Sequence, residues 1–292
     1  MFSSFIQEYL LKITKFFFVW WLAAASLFLS VQAQYVQSLD LKLAANERLL
    51  VSWNACNFGA SKTPQTIDAM AQLMRFADLV VLQEVSTGPA GAQAVAKLAD
   101  ALNRLGAKWD YSVSPSTLEG SGKERYAYLW KTSRLQVKQR QISLVSPLAN
   151  YMIREPGRMI FTVNGLEFAW YTFHLAPTAK GPEKEANMVA GMANVFTEQR
   201  LVLAGDFNLG ADKLAPTWEK PFKCRHQIEG KTSLGNKIKA DGSYFSKAYD
   251  NIFVRGMTVR TSGILNYFAR FNDLKAMKAV SDHLPVFVVI AF

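Results

Sequence analysis

Buried-strand sequences that stop at a polar side chain constrain this chain more than any other feature. The stretch Asp78-Leu79-Val80-Val81-Leu82-Gln83-Glu84 is an apolar run ending in a carboxylate. Leu49-Leu50-Val51-Ser52-Trp53-Asn54 ends in an amide, Leu166 to Phe173 delivers His174, and Leu201-Val202-Leu203-Ala204 runs into Gly205-Asp206-Phe207-Asn208. Tyr249 to Val254 carries Asp250 near its start, and Asp282-His283 precedes a last run from Leu284 to Ile290. Apolar runs of this kind read as strands covered on both faces. A lone Asp or Asn after a strand is ordinarily a turn former. Seven such stations are hard to explain as turns. They point to one polar site where strand ends converge on an apolar scaffold.

Helical periods separate several of these strands. Thr63-Pro64 reads as N-cap and first helical residue, followed by Ile67, Met70 and Met74 on one face. Gly88-Pro89 is a turn, after which Ala92 to Leu105 reads as a helix. Glu183 to Phe196 has the same character, its stripe of Met188, Met192, Val195 and Phe196 belonging to the core. Trp109 to Val113, Arg125 to Trp130, Arg134 to Val145 and Arg158 to Val163 complete the expected strands. Leu209 to Tyr249 reads as a long polar loop. Alternation in the first half and hairpin-like pairs elsewhere imply an α/β (α+β) fold of two sheets packed face to face with helices outside.

A chain of 292 residues, 50% of them hydrophobic, supports one large domain, and no linker or repeat divides it. Its first segment stands apart. Phe16 to Val31 is an uncharged apolar run preceded by Lys12 and Lys15 and followed by Val31-Gln32-Ala33. It is shorter than the roughly 20 residues that comfortably span a bilayer. The expectation is a signal peptide over 1–33, giving a secreted or periplasmic protein, with a catalytic domain over 34–292. An uncleaved N-terminal anchor is the alternative, and would be the only route to a membrane. Removing 1–33 takes away Lys12, Lys15 and Glu8, so the formal charge falls only from +10 to +9. The basic surplus belongs to the folded domain and favours an anionic partner, either nucleic acid or an acidic membrane surface. Cys56 and Cys224 fit no metal-ligand spacing, and both a disulfide and two buried thiols stand open.

The stations suggest a chemistry. Glu84, Asp206 and Asp282 are hard oxygen donors suited to Mg²⁺, Mn²⁺ or Ca²⁺, whereas zinc lacks a Cys/His cluster. Two of the three histidines, His174 and His283, sit at stations. Paired with carboxylates, they could exchange protons at both ends of a phosphodiester cleavage, while a metal and Arg154 stabilise charge on phosphorus. His226, in a Lys-rich stretch, reads as a surface residue.

The motifs, taken together, resemble those of the endonuclease/exonuclease/phosphatase superfamily, in its deoxyribonuclease I-like branch. They are Ser52-Trp53-Asn54, Leu82-Gln83-Glu84, Lys123-Glu124-Arg125-Tyr126, Arg154-Glu155-Pro156, His174-Leu175-Ala176-Pro177, Gly205-Asp206-Phe207-Asn208, Tyr249-Asp250 and Ser281-Asp282-His283. The resemblance runs from about Leu49 to Phe292. It implies a four-layer sandwich and a metal-dependent nuclease with low sequence specificity. It implies that Glu84 holds the divalent ion, with Asn54 in support and Asp282 near it. It further implies His174–Glu124 and His283–Asp250 as acid/base couples, Asp206 and Asn208 orienting water and phosphate, and Arg154 and Asn54 touching the phosphate.

The chain departs from that pattern in places. The stretch Ser86 to Gly91, where the duplex-nicking relative inserts an arginine into the minor groove, has no basic residue. Gly122 stands where a tyrosine is expected, and the family's disulfide positions are unmatched. In compensation, Leu209 to Tyr249 holds eight Lys/Arg against four acids and adjoins two stations. That arrangement suits phosphate contacts without sequence information. The expected partner is therefore nucleic acid, DNA first, with no obligate protein partner evident. The alternatives are a phosphoinositide phosphatase or sphingomyelinase-like phosphodiesterase on the same scaffold, and a non-catalytic module that only binds.

Overall fold

Alternation along three strands shows how the layers are made. In the computed structural model, which describes residues 35–117 and 122–292, β8 (Leu166–His174) sends Phe168 and Trp170 into one core. Its Ala169, Tyr171 and Phe173 enter a second. β9 (Leu201–Asp206) and β11 (Asp250–Arg255) divide in the same way, Val202, Ala204, Ile252 and Val254 from Leu201, Leu203 and Phe253. Successive side chains of a strand face opposite ways, so a sheet whose two faces feed two cores is buried on both.

Thirteen strands form two sheets among the described residues. The remaining strands are β1 (Tyr35–Val36), β2 (Glu47–Phe58), β3 (Leu79–Val85), β4 (Trp109–Val113), β5 (Arg125–Lys131), β6 (Ser143–Leu144), β7 (Gly157–Val163), β10 (Arg225–His226), β12 (Thr258–Leu265) and β13 (Val286–Ala291). One sheet has the order β1-β12-β13-β2-β3-β5-β4, the other β10-β11-β9-β8-β7-β6. Both are mixed: β2 lies parallel to β3 and β8 to β9, while β13 runs antiparallel to β2 and β11 to β9.

The helices are α1 (Pro64–Met74), α2 (Pro89–Asn103), α3 (Pro182–Gly191), α4 (Ala211–Phe222), α5 (Phe268–Phe271) and α6 (Leu274–Val280). α1 starts as its sequence dictates: Thr63 Oγ1 accepts from Thr66 N at 3.2 Å and Pro64 opens the first turn. Met70 of α1 and Leu98 of α2 join the larger core with the β2–β3 sheet, while Val189 of α3 and Trp218 of α4 join the smaller core on the other sheet. Helix, sheet, sheet, helix is the four-layer order, and the described residues form one compact unit.

Four stretches differ from expectation. Leu209 to Tyr249 holds α4, β10 and a hairpin rather than a structureless loop. The prolines at 216 and 221 disguise the helix, which is held by Leu214, Trp218 and Phe222 in the core. Arg134 to Val145 forms only β6 and an isolated pairing of Gln136 with Thr162. The helix from Pro182 stops at Gly191 and continues as a 3₁₀ turn, Ala193–Val195. β12, with its mixed polar pattern, and the short helices α5 and α6 gave no usable period. The expected signal segment 1–33 lies outside the described residues, among which no helix is long and apolar enough to cross a membrane.

Candidate active site

Neighbouring strand ends bring the stations together. His174 on β8 and Asp206 on β9 are register partners, and so are Asp206 and Asp250 on β11. On the other sheet, Asn54 of β2 is paired with Gln83 of β3, one residue before Glu84. Irregularities between Asn54 and Phe58 and between Leu82 and Val85 interrupt both ladders at this end. Cys56, Asn57, Glu84 and Asn208 all have positive φ, from 46° to 60°. Such left-handed conformations cost non-glycine residues about 1–3 kcal/mol each and persist where the surroundings over-determine them. Here bulged strand ends turn side chains into one place.

Two imidazoles dominate the result. His174 Nδ1 lies 2.8 Å from Glu124 Oε2, and His283 Nδ1 lies 2.7 Å from Asp250 Oδ2. Each Nε2 is 3.6 Å from the same atom, Asp206 Oδ2. Burial disfavours charge on both rings, but the carboxylates outweigh it. His283 is raised to about 10 by Asp250 and Asp206, and His174 is raised by Glu124 and Asp206. Burial works against the Asp206 charge, yet His283, His174 and the hydrogen bonds from Asn208 and Asn54 hold its carboxyl below the ordinary range. Asn208 donates its backbone N–H to Asp206 Oδ1 at 2.8 Å and its side-chain amide to Leu175 O at 3.1 Å.

Two residues expected to touch phosphate, Asn54 and Arg154, are buried beside the cluster. Asn54 is fully buried, with Nδ2 donating to Glu84 Oε1 at 2.9 Å and to Asp206 Oδ2 at 3.0 Å, while its Oδ1 accepts from Cys56 N. The Oδ1 atom keeps a second lone pair beside this bond. Asn54 ties two carboxylates together. Arg154 is likewise buried, donating from Nε to His174 O at 3.0 Å and from Nη2 to Leu175 O at 2.7 Å, with Glu124 at 3.7 Å. Its Nε and Nη2 donors face carbonyls and so pin the strand end carrying His174.

Glu84 and Asp282 are only partly buried, and both act on Cys56, as does Lys62. Burial, Asp282 and Glu84 push the Cys56 thiol up to about 11. Cys56 and Cys224 are both free, which removes the disulfide alternative. Glu84 Oε2 accepts from Asn57 N at 2.8 Å, so a backbone amide and Asn54 aim its carboxylate. The hard-oxygen carboxylate of Glu84, with that of Asp282 acting on the same Cys56, is of the donor type that suits Mg²⁺ or Mn²⁺. Among the described residues, Asp206, Asp250 and His283 also have ligand atoms within 4.8 Å of one another. His283 Nδ1 is held by Asp250, while its Nε2 faces Asp206.

Sequence reasoning missed the supports. Trp53 Nε1 donates to His283 O at 2.9 Å, Ser281 Oγ to Asn54 O at 2.6 Å, and Thr232 Oγ1 accepts from Asp250 N at 2.9 Å. Glu185 accepts from Ile153 N and Ala176 N, both at 2.6 Å, fastening the segments on either side of Arg154 and His174. Only Ser281 and Trp53 lie inside motifs; Thr232 and Glu185 gave no signal. His226, expected at the surface, is half-buried between Glu219 and Glu229, 2.7 Å from each.

Residues 51–283 match the family model described as the Endonuclease/Exonuclease/phosphatase family, and the chain belongs to that family. It is a phosphate-ester hydrolase on the deoxyribonuclease I-like branch. Among curated relatives, Deoxyribonuclease gamma of Rattus norvegicus is 26% identical over 263 residues, covering 81% of this chain and 82% of that one. Deoxyribonuclease-1 of Canis lupus familiaris is 26% identical over 259 residues, covering 82% and 90%. The crystal structure of an endonuclease/exonuclease/phosphatase family protein from Bacteroides thetaiotaomicron shares the fold with TM-score 0.60 at 17% identity, covering 84% of this chain and 98% of that one.

Proposed function

We propose that this chain is an exported, divalent-metal-dependent nuclease that hydrolyses the phosphodiester backbone of nucleic acid, DNA first, with low sequence specificity. The observation that carries the reading is the pair of imidazoles, each held at Nδ1 by a carboxylate and each presenting Nε2 to Asp206. The deoxyribonuclease names of the relatives support the choice of polymer.

Glu84 and Asp282 would hold the ion, and Mg²⁺ or Mn²⁺ bound there supplies positive charge for the phosphoryl oxygens. The chain's own residues do the proton work. Asp206, with Asn208 beside it, orients the attacking water. Nε2 of one imidazole takes the proton from that water as the new P–O bond forms. Nε2 of the other gives a proton to the oxygen released as the old P–O bond breaks. Glu124 and Asp250 fix the tautomers and stabilise imidazolium. Arg154 and Asn54 keep the carboxylates and His174 in place.

A panel of plasmid DNA, RNA, phosphoinositides and sphingomyelin, each with Mg²⁺, tests the reading. Cleavage of nucleic acid is the expected result. Turnover of a lipid substrate with both polymers left intact would overturn it in favour of a lipid phosphodiesterase.

A further inference from the structure

We infer that the hairpin of residues 234–245, together with α6, forms a second grip on a nucleic-acid strand, holding its phosphates with Lys237 and Lys275 beside the hydrolytic site. The inference rests on the nuclease reading above and extends it to a surface outside the acid/base cluster.

The hairpin is rooted in the site itself. Leu234 N donates to Asp282 O at 2.8 Å, and Ser233 pairs with His283. From that base the two arms rise together: Leu234 pairs with Phe245, Gly235 N donates to Tyr244 O at 2.7 Å, and Lys239 N donates to Ser243 O at 2.8 Å. Gly242, at φ +77°, closes the tip. Stacking of Phe245 on Tyr35 and of Tyr244 on Phe268 holds the hairpin in position, with centroids 4.8 and 4.4 Å apart.

Between the hairpin and α6 lies an open cavity of about 540 Å³. Three lysines line it, Lys237, Lys275 and Lys278, against one acid, Asp273. Asp273 is occupied, its Oδ1 capping α6 by accepting from Lys275 N at 2.9 Å. Lys278 is occupied too, donating to Asn236 Oδ1 at 2.8 Å and so tying hairpin to helix. Lys237 and Lys275 are exposed, and neither has a carboxylate partner among the described residues. Two exposed ammonium groups, on a hairpin bonded at its base to Asp282 and on the helix that leads into Asp282, suit the regular negative charge of a phosphate backbone. Ile238, 49% exposed between Lys237 and Lys239, offers an apolar contact to a sugar or base face. A membrane surface would need a broader apolar face, and Ile238 is the hairpin's one exposed large hydrophobic residue.

The double variant Lys237→Glu/Lys275→Glu tests this, since both side chains are exposed and outside the acid/base cluster. Binding of a fluorescent oligonucleotide is measured in EDTA across a KCl series, and turnover of plasmid DNA and of bis(p-nitrophenyl) phosphate is measured with Mn²⁺. Oligonucleotide affinity should fall by about tenfold or more at low salt, and the slope of log affinity against log salt should shrink by about 1.5–2. Plasmid kcat/KM should fall in step, while turnover of the small diester, too short to reach the cavity, stays unchanged. Unaltered oligonucleotide affinity and slope would overturn the inference. So would loss of binding to phosphatidylserine vesicles with nucleic-acid affinity intact. Binding that responds to the variant in a wild-type protein that cleaves no polymer would leave the grip standing and remove the nuclease reading.

Discussion

His174 and His283 owe their chemistry to carboxylates remote in the chain, Glu124 fifty residues before the one and Asp250 thirty-three before the other. Each ring is buried beside a carboxylate, so removing it costs some stability as well as proton transfer, and rates are compared per folded molecule. His174→Ala and His283→Ala should each lower polymer cleavage by about 10²–10⁴-fold, the range general acid–base catalysis commonly supplies. Circular dichroism should stay near that of the wild type, and near-normal rates in both variants would refute the assignment. His226 makes the opposite case, a histidine that serves stability. Burial disfavours its charge, but the hydrogen bonds it donates to Glu219 and Glu229 raise its pKa above the ordinary value. The folded state therefore binds this proton more tightly than the unfolded state. The stabilisation is complete below the unfolded value of about 6.5 and is lost as pH rises through the higher folded value. The melting temperature of the wild type should exceed that of His226→Gln most at about pH 6, and the gap should narrow in alkaline buffer.

At the scale of elements, the site depends on how strand ends are shaped. Gly205, the penultimate residue of β9, has φ +149°, and a Cβ there would lie 1.9 Å from the carbonyl oxygen of Phe173 on the neighbouring β8. No side chain can be accommodated without moving one strand, and β8 and β9 carry His174 and Asp206 at their ends. Gly205→Ala should cost about 2–4 kcal/mol of stability, read by urea unfolding. It should also lower activity beyond what the unfolded fraction explains. Strand existence was legible from apolar runs, but the left-handed turns at Cys56, Asn57, Glu84 and Asn208 were not. Those conformations come from bulged ladders and bonds such as Asn57 N to Glu84 Oε2, which join residues 27 apart. α4 was hidden for a related reason: its prolines and lysines read as loop, and only Leu214, Trp218 and Phe222 meeting the second core make it a helix.

Across the whole molecule, the two sheets present their polar ends at one place, so negative charge from Glu84, Asp206, Asp250 and Asp282 accumulates in a small volume. A divalent ion that relieves this repulsion should stabilise the fold as well as enable the reaction. After treatment with EDTA, cleavage should cease and the melting temperature should drop. Mn²⁺ or Mg²⁺ should restore both, with about 2.7 kcal/mol gained at a concentration one hundred times the dissociation constant. A chelated protein that retained full activity would sink the metal reading. The formal charge of +10 belongs to this scale too, and on the proposed reading it would draw an anionic polymer toward the molecule.

By itself the sequence determined which segments are buried strands, because apolar burial is a property that a run of residues carries in its own composition. It also determined that acids, amides and imidazoles stand at the ends of those strands, and hence the family resemblance. Tertiary structure alone decided what each of them touches. Asn54 and Arg154 turned out to be buried and bonded to Glu84, Asp206 and the carbonyls of His174 and Leu175, since a side chain's donors and acceptors depend on neighbours contributed from elsewhere in the fold. It also decided that Thr232 and Glu185 support the site and that the Lys-rich stretch forms a hairpin rooted beside His283. Hydrogen-bond partnership is a distance of about 3 Å in space, and no spacing along the chain encodes it.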